Sequence, residues 1–324
     1  MKMKTKINYI SALLLLLMVF TTASCLKDDP LVEWPDHNYI VEIADADHTV
    51  TRNNVQIGAT QVFADILMNQ CAVFASHITE SFDVQLAAKD ALIATYNTNN
   101  GLDGTEAAKD PYVAMPAANY TIPTVTIDKG VKQKLFDISV STAGLTPGGR
   151  YIVPLAISSV PSPYIISGNF GYVNLLVNVR AIYFNAAGQE MRPKFVGTDA
   201  TFSFAANTLF NVTNSMANTT VTVAEDPTLI AAYNTANGLD GSTPAKAPYI
   251  QLPAATYTLP TTLTFAATGN PLNTVINPVV VDISTLTPGG RYIIPVKITG
   301  TSSTHTGIHP NRSHLYMLLD VPTP

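Results

Sequence analysis

Three histidines near the end of the chain, His305, His309 and His314, are the first residues whose type and spacing invite chemistry. A pair four apart presents both rings on one side only in a helix. Pro310 and a run of Ser, Thr and Gly make this segment a loop, and no carboxylate nearby completes a ligand set. No metal site is expected, and no cofactor, because the chain has no HExxH, no GxSxG and no Gly-rich phosphate loop. A glycosidase would need two opposed carboxyl groups. The acids fall instead in turns (Asp103, Asp110, Asp240) or near helix starts (Asp90, Asp226). No catalytic residue is assigned, and the chain is not expected to be an enzyme. Recognition remains. Uncharged ligands are held by apolar and aromatic faces and by a few convergent polar groups. The rings of Trp34, Tyr164, Phe170 and Tyr172 and the polar side chains of His309, Asn311 and Arg312 are the candidates, with His305 and His314 beside the latter. The plainer alternative is a hairpin loop with its aromatics folded inward, and a tryptophan that staples a tether to the first domain.

The start of the chain carries a different signal. Lys2, Lys4 and Lys6 precede the apolar run Ile10 to Phe20, which is followed by Ala23 and Ser24. That order is a secretory signal peptide, and the run is shorter than the ~20 residues that span a bilayer. Thr22-Ala23-Ser24-Cys25 resembles the lipobox of bacterial lipoproteins, with Thr22 where leucine is usual. The resemblance implies cleavage before Cys25 and acylation of its thiol and amino group. Each buried methylene contributes about 0.8 kcal/mol, so three chains anchor firmly in outer-membrane lipid. Leu26-Lys27-Asp28-Asp29 resembles the export signal of Bacteroidota surface lipoproteins. The expected location is therefore the bacterial outer membrane, lipid-anchored and exposed at the cell surface. With Cys25 acylated, Cys71 has no partner in the chain and reads as a small buried hydrophobe. Charged residues are 13% of the chain and the net charge is −5, which excludes the basic patches that contact nucleic acid.

The remaining ~300 residues suit two domains, and they repeat. ALIATYNTNNGLDG (Ala91 to Gly104) returns as LIAAYNTANGLDG (Leu229 to Gly241), PYVAMPAANYTIP as PYIQLPAATYTLP, and LTPGGRYIVPLAI as LTPGGRYIIPVKI. The division expected is a signal peptide at 1–24, a tether at 25–36, and repeats at 37–182 and 183–324. Short apolar or alternating segments separated by Gly, Pro and Asn predict strands and turns. The expected fold is all-β: two tandem Ig-like antiparallel β-sandwiches, each with one short helix. Asp90 and Pro227 are expected to open the helices, and Asn100-Gly101 to close the first. Thr-Pro-Gly-Gly predicts a type II turn. Pro154 and Pro295, inside strands, point to an edge or bulge. Tyr120 and Tyr257 are expected to pack a ring and bond the hydroxyl to backbone. A residue needed once for chemistry would not stand in both halves, so the shared set reads as scaffold.

The shared pattern of aliphatic pair, Tyr-Asn, Asn-Gly, Pro-Tyr-x-x-x-Pro-x-x-x-Tyr and Gly-Arg-Tyr-x-x-Pro resembles an Ig-like domain of unknown function. That domain is found in tandem at the front of Bacteroidota surface lipoproteins, of the polysaccharide-utilisation, starch-utilisation-system type. The resemblance implies fold and location, and a role accessory to glycan capture or uptake. The partners it implies are an oligosaccharide or polysaccharide and an outer-membrane glycan transporter complex. A structural or adhesin-like subunit with protein partners only is the alternative.

Overall fold

The computed structural model describes residues 39–44, 49–71, 78–106, 109–186, 189–210, 216–267 and 272–323. Cys25, Trp34, the leader and the tether lie outside the described residues. The protein is all-β apart from two short α-helices among the described residues, one per repeat. In repeat one, a sheet of Ile165–Ile166, Ile40–Ile43, Thr60–Gln70, Gln133–Ser141 and Tyr120–Thr121 faces a second sheet. The second runs Thr49–Val55, Tyr172–Val179, Arg150–Ser159, Phe82–Ala88 and Val125–Ile127. Repeat two builds its counterpart of the second sheet from Glu190–Met191, His314–Asp320, Arg291–Thr301, Thr220–Glu225 and Thr262–Thr264.

Burial follows strand periodicity. In Gln133–Ser141, Phe136, Ile138 and Val140 point into the core, while Leu135, Asp137 and Ser139 point out. The first repeat's core runs from Val41 to Val179, and the second's from Ile182 to Val321. Each side chain of this size contributes about 1.5–3 kcal/mol when fully buried.

Two departures from the expected sandwich have local causes. Most pairs are antiparallel, but each repeat's opening run crosses between sheets and enters beside the last strand in the same direction. Ile40–Ile43 thus lies parallel to Ile165–Ile166, and Thr49–Val55 parallel to Tyr172–Val179. Glu190–Met191 repeats this against His314–Asp320. The second departure concerns Pro154 and Pro295. Each lies in an inner strand, not at an edge. Its carbonyl accepts from Lys89 N–H (2.8 Å) or Asp226 N–H (2.9 Å), where the neighbouring strand leaves for the helix. Val113–Ala114 or Ile250–Gln251 then takes over that side of the ladder. The residue without an N–H stands at the changeover, where no carbonyl needs it.

Helix α1 (Ala91–Asn99) and helix α2 (Leu229–Ala236) cover the outer faces of these sheets. Ile93, Tyr96 and Leu102 pack over Ile152 and Leu176, and Leu229, Ile230 and Leu239 over Ile293 and Leu318. Covered on both sides, Arg150–Ser159 and Tyr172–Val179 are buried with almost no alternation, Asn174 and Asn178 included. Both helices close with Gly101 or Gly238 at φ +61°. Gly101 N–H bonds to Thr98 and Leu102 N–H to Asn97, and Gly238 and Leu239 bond likewise to Thr235 and Asn234, a Schellman motif. The helix starts differ from expectation. Asp90 occupies the N-cap of α1 without a side-chain capping bond, and α2 begins at Leu229 after Thr228. Pro227 belongs to the preceding turn, its carbonyl accepting from Ile230 N–H.

The Tyr-Asn and Pro-Tyr motifs meet through one side chain. Asn97 donates its amide N–H to Tyr112 O (2.8 Å) and accepts from Tyr112 N–H (2.9 Å). Asn234 holds Tyr249 the same way, at 2.9 Å and 2.9 Å. The Thr-Pro-Gly-Gly turns are type II, with Gly148 at φ +78° and Gly289 at +74°. Tyr151 and Tyr292 hydroxyls accept from Thr146 and Thr287 N–H, bracing each turn. The rings of Tyr120 and Tyr257 pack on the two cores. No backbone group bonds the Tyr257 hydroxyl, whose pKa burial and the neighbouring Glu225 push up. Replacing Asn97 or Asn234 with alanine should lower stability by about 2 kcal/mol, two part-buried hydrogen bonds, measured as urea unfolding. Asn100→Ala, which loses one exposed bond to Tyr96 O, should cost less than about 1 kcal/mol. Equal effects would remove the clamp's special standing.

Candidate functional site

The loop before the last strand takes the same backbone course in both repeats. Ser167 N–H bonds to Val41 O and His309 N–H to Ile182 O; Phe170 O accepts from Ile43 N–H and Arg312 O from Phe184 N–H. Ser167 and His309 are therefore equivalent, as are Phe170 and Arg312, and their side chains do different things.

In repeat one the loop borders a cleft of about 610 Å³. Of the expected aromatic platform, Tyr164 alone among the described residues lines it. Its ring stacks on Phe82 (centroids 3.7 Å apart, planes at 19°) and leans on Tyr39 at 5.5 Å. Phe170 and Tyr172 are half-buried elsewhere, Phe170 donating its N–H to Ser167 Oγ and Tyr172 opening the last strand opposite Ala156. Phe82–Ala88 and the segment before it give the cleft Thr79, Glu80, Ser81, Asp83 and Gln85, and the facing strand end and loop give Ser159 and Ser162. Asp83 Oδ1 accepts from the Thr126 hydroxyl at 2.7 Å across the ladder. Strand register shows how specific this lining is to repeat one. Leu86 pairs with Ile157 as Val223 pairs with Ile298. Thr219, Thr220 and Thr222 thus stand in repeat two where repeat one has Phe82, Asp83 and Gln85.

In repeat two the loop meets repeat one. His309 is 6% exposed. Its Nε2 lies 3.8 Å from Asp110 Oδ2, and Arg312 donates to Asp110 Oδ1 at 3.3 Å. His305 contributes its carbonyl, which accepts from Ile57 N–H (3.2 Å) and Arg180 Nε (3.4 Å). A Cβ on Gly307 would come 2.4 Å from Pro147 Cγ, and one on Gly148 2.3 Å from His309 Cδ2. The repeats are in close contact because both surfaces have glycine where a side chain would separate them. His309, Asn311 and Arg312 line a second space of about 470 Å³ together with Asp110, Thr105 and Gln189. His314 stays within repeat two, edge-on to Tyr316 at 5.1 Å. The three histidines thus serve separate contacts, and among the described residues no cluster of His, Cys, Asp or Glu is placed to hold a metal ion.

Burial pushes His309 below the ordinary histidine pKa, with Arg312 adding to the effect and Asp110 opposing it. Its Nδ1 accepts from Asn311 N–H at 3.2 Å, which places the proton of the neutral ring on Nε2, facing Asp110. Asp103 and Asp240 close their own turns. Thr105 and Ser242 hydrogen bonds hold these exposed carboxyls below the usual range. Cys71 donates to Glu42 Oε1 at 3.3 Å and is half-buried, not a fully buried hydrophobe. The residues that sequence reading passed over are Phe82, Asp83, Gln85 and Asp110. Asp110 precedes Pro111 where Ala247 precedes Pro248, so comparing the copies position by position marks it.

A family model described as a "-like, N-terminal domain" matches residues 36–163 and again 176–305. The chain belongs to that family. It is a tandem of this domain of unknown function, of a kind met in Bacteroidota proteins. Both matches end within the copy-specific loops, short of Tyr164 in the first and of His309 in the second. Comparison with curated proteins finds no match. Among solved structures, the chain is similar to a Bacteroides ovatus protein of unknown function (14% identity, 53% of this chain, 62% of that one, TM-score 0.34). It is also similar to a candidate carbohydrate-binding protein of the same species (12%, 83% and 70%, TM-score 0.35). A third is a two-domain protein of unknown function from Bacteroides fragilis (8%, 76% and 88%, TM-score 0.34). The chain thus spans under two thirds of the first of these structures.

Two tests address the joint. Gly148→Ala incurs the positive-φ cost of about 1–2 kcal/mol and the clash with His309. Gly289→Ala keeps the φ cost and meets only Thr323 Cγ2 at 3.2 Å. Thermal unfolding should show Gly148→Ala as the more destabilised by at least about 1 kcal/mol. A lowered folded pKa means the unfolded chain binds the His309 proton more readily. The joint's stability is then full above about pH 6.5 and lost as pH falls through the folded value. His309→Gln should flatten the fall in unfolding midpoint between about pH 7.5 and about pH 5.5. An unchanged slope would acquit His309.

Proposed function

We propose that the chain is a non-catalytic lipoprotein of the bacterial outer membrane, anchored through Cys25 and accessory to glycan capture or uptake. The observation that carries this reading is the repeat-one cleft. On a scaffold whose motifs recur in both repeats, Tyr164 and Phe82 bring rings, and Asp83 and Gln85 bring planar polar groups, to a cleft whose lining repeat two replaces with Thr219, Thr220 and Thr222. Aromatic surface with a few converging polar groups is what a sugar requires. The lipobox and the acidic residues after Cys25 support display at the surface, and the family's tandem domain is in keeping with it.

A specific observation favours protein partners as the second reading. Among the described residues no strand pairs with the outer side of the edge strand Lys194–Val196, and Phe195 is 42% and Val196 63% exposed. An unprotected edge with apolar side chains is a pairing template.

Affinity electrophoresis of the full chain in gels containing a polysaccharide panel separates the two. Retardation by at least one glycan, weakened about tenfold or more by Tyr164→Ala, is expected. Tenfold corresponds to ~1.4 kcal/mol, the loss expected of one aromatic contact. Silence across the panel, with oligomerisation or transporter co-purification that Val196→Lys abolishes, would replace the glycan reading with the second.

A further inference from the structure

The charge of the repeat-one cleft narrows its ligand. Glu80 and Asp83 line it, and among the described residues that do so none is basic. Lys129 meets the rim through its backbone N–H, which donates to Ser81 Oγ at 2.9 Å. Neither acid joins an ion pair among the described residues. Thr126 fixes one oxygen of Asp83, and the other is left for a ligand. Burial raises the pKa of the Tyr164 phenol, with Tyr39 and then Glu80 adding to it. Both carboxylates line the same cleft as that ring. In repeat two the position of Asp83 is Thr220, so the acidic lining accompanies the cleft and is no property of the fold.

We infer that this cleft sorts glycans by charge: sugars bearing a free, protonated amine bind in preference to neutral ones, and uronic or sulfated chains are refused. A negative lining repels an anionic chain and offers charge-assisted acceptors to an ammonium. Both carboxylates face solvent, so the gain is modest and screened by salt. The inference rests on the glycan reading above and adds the class of sugar.

The test is calorimetric titration of the full chain, at low ionic strength, with three probes. They are a fully deacetylated chito-oligosaccharide, its N-acetylated counterpart and an oligogalacturonate. The amino form should bind about fivefold more tightly than the N-acetylated form, the scale of one or two exposed charged contacts. Oligogalacturonate should not bind. Glu80→Gln should reduce the preference for the amino form, and Glu80→Gln combined with Asp83→Asn should erase it. Tyr164→Ala should weaken both forms alike. Equal affinity for the two forms, or binding of oligogalacturonate, would overturn the inference and leave the glycan reading standing. No heat from any probe, with correctly folded protein by circular dichroism, would overturn both.

Discussion

One side-chain amide closes each repeat. Asn97 presents a donor and an acceptor in one plane, as a neighbouring strand would, and so pairs the backbone of Tyr112. With Tyr112 fixed, its ring lies beneath Arg150 at 4.3 Å and edge-on to Tyr96 at 5.6 Å. The helix is thereby tied to the sheet it covers. Asn234 does the same for Tyr249, which lies beneath Arg291 at 4.1 Å. Without this link the outer faces of Arg150–Ser159 and Arg291–Thr301 would stand open to water. The apolar side chains there, Ile152 and Ile293 among them, would then be a liability rather than a second core.

Duplication makes the scaffold redundant and leaves individuality to the residues that differ. Gly148 and Gly289 adopt the same turn for the same backbone reason, yet His309 packs against the first and Thr323 lies near the second. Ser167 and Phe170 keep their loop on its own repeat, while His309 and Arg312, at equivalent positions, reach Asp110 of the other. Tyr164 fills toward Phe82 where repeat two has small hydroxyl residues. The joint and the cleft are thus two uses of one framework: the cleft is lined by residues that the copies do not share, and the joint sets such residues, His309 and Gly307, against the shared turn at Pro147 and Gly148.

The recognition residues chosen from the sequence divide on this point. Tyr164 lies in the cleft, with Phe170 and Tyr172 apart from it. His309, Asn311 and Arg312 come together as expected of a cluster, but around the contact between repeats. Their partner Asp110 is not visible as such, because it sits in a turn beside a shared motif and looks like one more solvated acid. Pro154 misled for a related reason. A proline in a strand is read as an edge when the chain is seen alone, whereas the neighbour's departure at Lys89 supplies the gap.

Local physics is legible along the chain. The repeat, the strand periodicity, the positive-φ glycines of the Thr-Pro-Gly-Gly turns and the Asn-Gly helix ends depend on residues a few positions apart, and so the sequence alone determined them. What lay 202 positions apart, Arg312 against Asp110, and the register that sets Tyr164 on Phe82, depend on how strands cross the sandwich. Only the tertiary structure decided these, because sheet pairing joins residues by spatial order, and a lone chain records no such order.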